Sequence, residues 1–218
     1  MVENTPTLHT QRLILRQFTP QDVAAYFALM TDEKTNTFVP WFPPKTVEEA
    51  ARGLEGYLNS YEKPAGYHYA ICLETDDIPI GYVNVGDGES RDFGYGLRSE
   101  FWHQGIVTEA CEAVVERVRT AGIAFLTATH DVDNPRSGAV MKKLGMRYCY
   151  SYEEQWKPKN FPVIFRMYQL NLDGAAERVY RKYWDDATVR FVEENVWKKE
   201  SATDSCAIVG GCFPPAVV

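Results

Sequence analysis

Residues 92 to 145 constrain this chain more than any other stretch. Phe93-Gly94-Tyr95-Gly96-Leu97 has the apolar and aromatic content of a short strand, and it runs directly into Arg98-Ser99-Glu100-Phe101-Trp102-His103-Gln104-Gly105, a turn that bears a glycine. From Val107 to about Gly122 the residues Ala110, Val114, Val115 and Val118 recur at helical spacing. After another strand over 124–129, Asn134-Pro135-Arg136-Ser137 opens a second helix that stops at Leu144-Gly145. A strand that feeds a turn and a helix start presents free backbone amides and the positive end of a helix dipole. That is a setting for a pyrophosphate.

The segments on either side fit around this unit. Residues 12–16 alternate as an edge-type strand, and Thr19-Pro20 starts a helix that continues through Met30. Phe38-Val39-Pro40-Trp41-Phe42-Pro43-Pro44 carries three prolines and excludes regular structure. Thr46-Val47-Glu48-Glu49 is a capping box for a second helix that ends near Tyr61. Strands follow over 67–74 and 78–86, joined at Thr75-Asp76-Asp77, and two more close the unit over 146–152 and 163–170. Helices between strands, with hairpins at both ends, predict one α/β domain. Its central sheet is mixed, mostly antiparallel and flanked by helices.

Composition sets the outer limits. The 218 residues suffice for one substantial core, and a hydrophobic content of 45% with 13% aromatics belongs to a folded chain. A formal charge of −7 leaves no global basic footprint for nucleic acid and tilts the surface toward cationic or amine-bearing partners. No apolar run is long enough to cross a bilayer, and the polar N-terminus lacks the pattern of a signal peptide. Five scattered cysteines and four histidines show no paired ligand spacing, which argues against a metal; with reduced thiols at Cys72, Cys111 and Cys149 the expected compartment is the cytoplasm.

Thr10-Gln11-Arg12-Leu13-Ile14-Leu15-Arg16 resembles the opening signature of the ribosomal-protein N-acetyltransferase branch, RimJ/RimL-like, of the GNAT acetyltransferases. Gly94-Tyr95, Trp102, Gly105 and Thr108-Glu109-Ala110 match the central motif of that branch, and Asn134, Ser137 and Lys143-Leu144-Gly145 match its next helix. The resemblance spans residues 8 to 171, so residues 1–173 are expected to form a single GNAT domain. It implies acetyl-CoA as co-substrate. The loop residues His103, Gln104, Gly105, Ile106, Val107 and Thr108 would hold its pyrophosphate through backbone amides, with Asn134 and Ser137 alongside. The main chain of Tyr95, Gly96 and Leu97 would pair with the pantetheine as an added strand. Two positions depart from the family pattern. His103 stands where a second glycine is common, so its Cβ crowds the loop or demands an unusual backbone angle. Val107 stands where alanine or glycine is common.

Acetyl transfer needs a deprotonated amine, a polarised thioester carbonyl and a proton for the departing thiolate. Met141 occupies the helix position where many relatives carry a tyrosine acid, and the resemblance points to Ser137 instead. For the base it points to Asp92, where the family often has glutamate; Glu89, His68 and His130 remain alternatives. The acceptor pocket is expected from the first two helices, their Pro-rich connection and the closing hairpin. Trp41, Phe42, Tyr67, Tyr69, Tyr152 and Trp156 are its candidate walls. The acceptor is either a small amine or a protein N-terminus. A different class, a non-catalytic acyl-CoA-binding or assembly module, stands as the alternative.

After Asp173-Gly174 the pattern changes. Residues 174–200 are expected to form an amphipathic helix with Tyr180, Tyr183, Trp184, Ala187, Phe191 and Val192 near one face. That stripe covers either its own sheet or a second subunit, which would make a homodimer. Residues 201–218, with Cys206 and Cys212, read as an irregular tail.

Overall fold

Leu13 and Leu15 are buried while Ile14 and Arg16 point the other way, and this two-residue period starts the first sheet of the computed structural model, which describes residues 4–63, 65–194 and 196. Five antiparallel strands are neighbours in space as in sequence: β1 (Leu8–His9), β2 (Leu13–Arg16), β3 (Tyr67–Leu73), β4 (Pro79–Val85) and β5 (Phe93–Leu97). Four more strands, β6 (Phe125–Asp131), β7 (Arg147–Trp156), β8 (Phe161–Asn171) and β9 (Arg190–Phe191), form an antiparallel sheet in the order β6-β8-β7-β9. The expected class, helices flanking mostly antiparallel strands, is present. The central sheet, however, is split in two. Among the described residues the halves meet at one parallel bridge, Asp92 to Thr127.

Strand alternation assigns each helix a face. In β3, Ala70 and Cys72 point toward α1 (Val23–Thr31) and α2 (Val47–Ser60), where Phe18, Tyr26, Ala50 and Leu54 complete a small core. Tyr69 and Ile71 point to the opposite face, where Leu13, Val83, Val85 and Phe93 pack against Ile106, Ala110, Val114 and Val118 of α3 (Ile106–Thr120). The last helix of this layer, α4 (Pro135–Lys143), lies against β6. The capping box at α2 is shifted by one residue. Thr46 Oγ1 accepts from the Glu49 amide at 3.3 Å, but the Glu49 carboxylate accepts from the amide of Lys45 at 2.7 Å.

The continuous helix expected over residues 174–200 does not form. α5 (Lys182–Asp186) is a short α-helix, β9 pairs with β7 beyond it, and Val196 is again helical. Side chains of β8 have taken the backbone groups that a helix would need. Gln169 Nε2 and Asn171 Nδ2 donate to the Arg178 carbonyl at 2.9 and 3.0 Å, and the Tyr180 amide donates to Gln169 Oε1 at 2.7 Å. Tertiary bonding overrides the helical periodicity. The aromatic stripe is still used, since Tyr180, Tyr183 and Trp184 pack on Tyr150 and Tyr152 of β7. The irregular tail expected over 201–218 lies outside the described residues.

The pairing of β4 with β5 depends on Gly81. A Cβ placed there would meet the carbonyl oxygen of Gly96 at 2.5 Å, a backbone atom that cannot swing aside. Gly81→Ala is therefore expected to destabilise the fold by about 2 kcal/mol. Gly56→Ala, on α2 with nothing within 4 Å of its added methyl, should stabilise by up to about 1 kcal/mol. Urea unfolding of both variants checks the contrast.

Candidate active site

The split between β5 and β6 leaves the edge of β5 unpaired, and hydrogen-bond alternation decides which of its groups face the gap. Gly86 N donates to Asp92 O at 2.8 Å and Arg98 N to Ile80 O at 2.9 Å, so Asp92, Gly94, Gly96 and Arg98 direct their main chain toward β4. The amides of Phe93, Tyr95 and Leu97 point toward the gap. Of the strand residues expected to pair with a pantetheine, Tyr95 and Leu97 thus present their amides, and Gly96 does not. The Leu97 carbonyl is already engaged by Thr35 Oγ1 at 2.8 Å and by Trp102 Nε1 at 2.7 Å.

Beyond β5 the chain turns through residues 99–105 into α3. Gly105 caps the helix with φ +75°, and His103 has φ +61°. Both lie in the left-handed region, so the conformation that a second glycine would permit is adopted here by histidine under strain. The first intrahelical bond runs from Glu109 N to Gly105 O at 3.0 Å, which leaves the amides of Ile106, Val107 and Thr108 without helical acceptors. They point out of the helix N-terminus together, an anion-binding arrangement. The loop is tethered from behind. Arg12 donates through Nη1 to the Gln104 carbonyl at 3.0 Å and through Nε to Glu109 at 2.7 Å, while Thr10 Oγ1 donates to the same carboxylate at 2.6 Å. Burial, the largest single influence, raises the Glu109 carboxyl, but the bonds from Thr10 and Arg12 and the Arg12 charge together hold it below its usual range.

Between the sheets lies a cavity of about 420 Å³ lined by residues from both faces of the first sheet. On the α4 side it is lined by Tyr95, Asn134, Ser137 and Met141; on the other, by Asp92, Gly94, Tyr82 and the Pro-rich connection with Phe38 and Trp41. The closing strands add Tyr152, Glu154 and Trp156. Ser137 sits in the first turn of α4, and the Tyr95 hydroxyl donates to its carbonyl at 2.7 Å with the Ser137 Oγ 3.1 Å away. Burial pushes the Tyr95 phenol far above its ordinary pKa, so it remains a donor. Asn134 makes no side-chain capping bond and is one of the lining residues.

Asp92 lines the cavity at an exposed position. Desolvation by the protein around it, and secondarily the charge of Glu154, raise its carboxyl to about 6. Among the described residues no lysine or arginine lines the cavity. Tyr67 and Tyr69 do not reach it. Tyr69 is fully buried beneath α3, and the Arg117 guanidinium lies 5.7 Å from the Tyr67 ring centroid on that same face. Both follow the alternation that sends odd-numbered β3 residues toward α3. Among the described residues no three His, Cys, Asp or Glu side chains gather as a metal site, and no helix is long and apolar enough to cross a membrane.

The family model for the acetyltransferase (GNAT) domain matches residues 12–147. The chain belongs to the GNAT acetyltransferase family. It is therefore an acetyl-CoA-dependent acyltransferase. YoaA of Bacillus subtilis strain 168, an uncharacterized N-acetyltransferase, is 27% identical over 147 residues, covering 65% of this chain and 83% of YoaA. Among solved structures, the acetyl transferase of Salmonella typhimurium that modifies the N-terminal serine of ribosomal protein L7/L12 superposes with a TM-score of 0.65 at 19% identity, covering 74% of this chain and 96% of its own. The microcin C7 self-immunity acetyltransferase MccE, solved with acetyl-CoA and AMP, gives a TM-score of 0.68 at 17% identity, covering 78% of this chain and 99% of MccE. The fold is shared with these proteins.

Sequence reasoning missed three contributors to the site. Glu154 and Tyr183 lie beyond the recognised motifs. Asp32 holds the Ser99 amide at 2.7 Å and the Thr35 amide at 3.0 Å, and so ties the loop after α1 to the end of β5. The β7 strand runs on to Trp156, four residues past the expected end at Tyr152, and that extension would have brought Glu154 into view. The strained loop yields a direct test. Gly105→Ala forces a methyl into the left-handed region and should lower stability by about 1 kcal/mol while weakening acetyl-CoA binding. His103→Gly relieves the same strain and should leave binding intact with stability unchanged or up to about 1 kcal/mol higher. Calorimetric titration and thermal unfolding read both effects.

Proposed function

We propose that this acetyltransferase moves the acetyl group of acetyl-CoA onto a primary amine by direct attack, the acceptor being a small amine or a protein N-terminus. The observation that carries this reading is the cavity through the sheet split, which has a raised carboxylate at one mouth and a helix-start hydroxyl at the other. Acetyl-CoA supplies the thioester carbonyl. The free amides of Ile106, Val107 and Thr108 would hold its pyrophosphate, and those of Tyr95 and Leu97 its pantetheine. Asp92 accepts the proton of the incoming ammonium, and a carboxyl titrating near 6 is a carboxylate at neutral pH with more basicity than an unperturbed aspartate. Ser137, oriented by the Tyr95 hydroxyl, gives a proton to the departing sulfur directly or through water. The order of motifs and the likeness of the fold to RimL-type enzymes support a protein N-terminus as one acceptor class. The absence of a spanning helix among the described residues is compatible with the cytoplasm as the compartment.

Two variants test the assigned roles. Ser137→Ala should reduce kcat about a hundredfold while the acetyl-CoA dissociation constant stays within about twofold. Unchanged turnover would remove Ser137 from the chemistry. For Asp92 the sign follows from its raised pKa. The base form is present above about pH 6 and lost below it, so kcat/KM should rise through pH 6 and then level off. Besides desolvation, the group that sets this value is Glu154 of β7; Tyr152 of β7 and Tyr183 of α5 lie within the field of Asp92, and Asp131 at the end of β6 lines the same cavity. Because the folded pKa exceeds the unfolded one, stability declines as pH rises from about 4 to about 6. Asp92→Asn should abolish the acid limb of the rate profile and raise Tm at pH 8 but not at pH 4.

A further inference from the structure

The segment after the closing strand β8 lies beyond the residues that match the family model, yet it reaches the cavity. Tyr183, on α5, lines the cavity with Asp92 and stacks on Tyr152 with ring centroids 5.4 Å apart and planes 11° from parallel. Its phenol is pushed up to about 12, first by burial and then by the charge of Asp92, which places it within the field of that carboxylate.

The segment is fastened rather than laid loosely on the sheet. The Arg166 guanidinium of β8 grips the Glu193 carboxylate through Nε and Nη2, both at 2.8 Å, and both side chains are about nine-tenths buried. The Tyr150 hydroxyl donates to the Tyr180 carbonyl at 2.7 Å, and the Tyr148 hydroxyl accepts from the Glu193 amide at 2.9 Å. Such anchoring holds Tyr183 at a fixed place beside the acceptor mouth.

The chemistry at that mouth has one sign. Asp92, Asp131 and Glu154 bring carboxylates, Trp41, Trp156 and the Tyr152–Tyr183 stack bring aromatic faces, and among the described residues no lysine or arginine lines the cavity. Aromatic faces attract a desolvated cation, and the carboxylates hold an ammonium while repelling an acid group.

Resting on the acetyltransferase reading above, we propose that the C-terminal segment is a specificity element that builds one wall of the acceptor pocket through Tyr183. The pocket so closed selects a cationic amine, of the arylalkylamine type, that bears no carboxylate or phosphate near its nitrogen. Tyr183 and Glu154 act on acceptor recognition and leave the acetyl-CoA side untouched.

A matched acceptor series tests this on the full chain. CoA release is measured with phenethylamine, with phenylalanine as its carboxylate-bearing counterpart, and with a seryl peptide amide. The variants are wild type, Tyr183→Ala, Tyr183→Phe and Glu154→Gln. The expected result is a KM for phenethylamine about tenfold or more below that for phenylalanine. Tyr183→Ala should raise the phenethylamine KM about three- to tenfold, and Tyr183→Phe, which keeps the ring, should change it less than twofold. Glu154→Gln, at an exposed position that does not threaten folding, should narrow the preference between the two acceptors. The KM for acetyl-CoA should be constant throughout. Equal KM values for phenethylamine and phenylalanine, or an unchanged phenethylamine KM in both Tyr183→Ala and Glu154→Gln, would overturn the inference while leaving acetyl transfer intact. Acetyl-CoA binding with no acceptor-dependent release from any of the three amines would instead overturn the acetyltransferase reading on which it rests.

Discussion

The interaction on which the site depends is the single parallel contact between Asp92 and Thr127. There the Thr127 amide donates to the Arg91 carbonyl at 3.4 Å and its hydroxyl to the Ser90 carbonyl at 2.9 Å. These bonds hold the two sheets together at the start of β5 and nowhere further along it among the described residues. Past that point β5 and β6 diverge, and the Tyr95 side chain fills part of the gap by bonding to Ser137 on α4. An open strand edge inside a fold carries backbone amides that must find partners. Here the edge amides of Tyr95 and Leu97 face a cavity, so the fold supplies a template for an extended ligand before any side chain takes part. The same split joins the two faces of the sheet, and that allows a donor on the α3–α4 side to meet an acceptor on the α1–α2 side.

The second constraint is the loop before α3. Its usefulness lies in amides that α3 cannot satisfy, and those amides are aimed only if the chain turns sharply at His103 and Gly105. The left-handed angle at His103 is unfavourable for a side chain by roughly 1–2 kcal/mol. The Arg12 network offsets it by holding the Gln104 carbonyl and the Glu109 carboxylate from behind. A residue just before β2, far from the loop in sequence, thereby sets the shape of the loop. The Thr10-Gln11-Arg12 signature and the Thr108-Glu109-Ala110 signature are two ends of one structural device. Their co-occurrence in the sequence has this physical cause.

How much could be read in advance follows from how local each feature is. The strand, glycine turn and helix start over 93–120 are determined by neighbours in sequence, and they stand where the pattern puts them, within a residue or two. The acceptor pocket is not local, and there the reading divided. Trp41 and Trp156 reach the cavity; Tyr67 and Tyr69 do not, because aromatic character says nothing about which face of β3 a residue occupies. The phase was available in the sequence: Tyr69 alternates with Ala70 as Ile71 does with Cys72, so Tyr69 belongs with the apolar face of the larger core. The segment after Gly174 misled for another reason. Its apolar spacing fits a helix, but Gln169 and Asn171 of β8 capture its carbonyls, and no window on the segment alone contains that information. Tyr183 became a cavity residue only through this capture.

The chemistry concentrates on a conflict at Asp92. A carboxylate partly desolvated by the protein and faced by Glu154 is unfavourable when ionised and unpaired, which is why its pKa is raised. That same environment makes the ionised form a better proton acceptor and gives an incoming ammonium the role of missing counter-charge. In the proposed reaction, binding of the cationic acceptor favours the ionised form of Asp92, and transfer of the proton discharges acid and ammonium together. The carboxyl is then neutral at the moment when the free amine lies beside the thioester. A lysine or arginine placed opposite Asp92 would stabilise the empty fold and lower the basicity that the reaction needs. The acidic and aromatic part of the lining is thus a stability cost tied to function, and no lysine or arginine stands among the described residues that line the cavity.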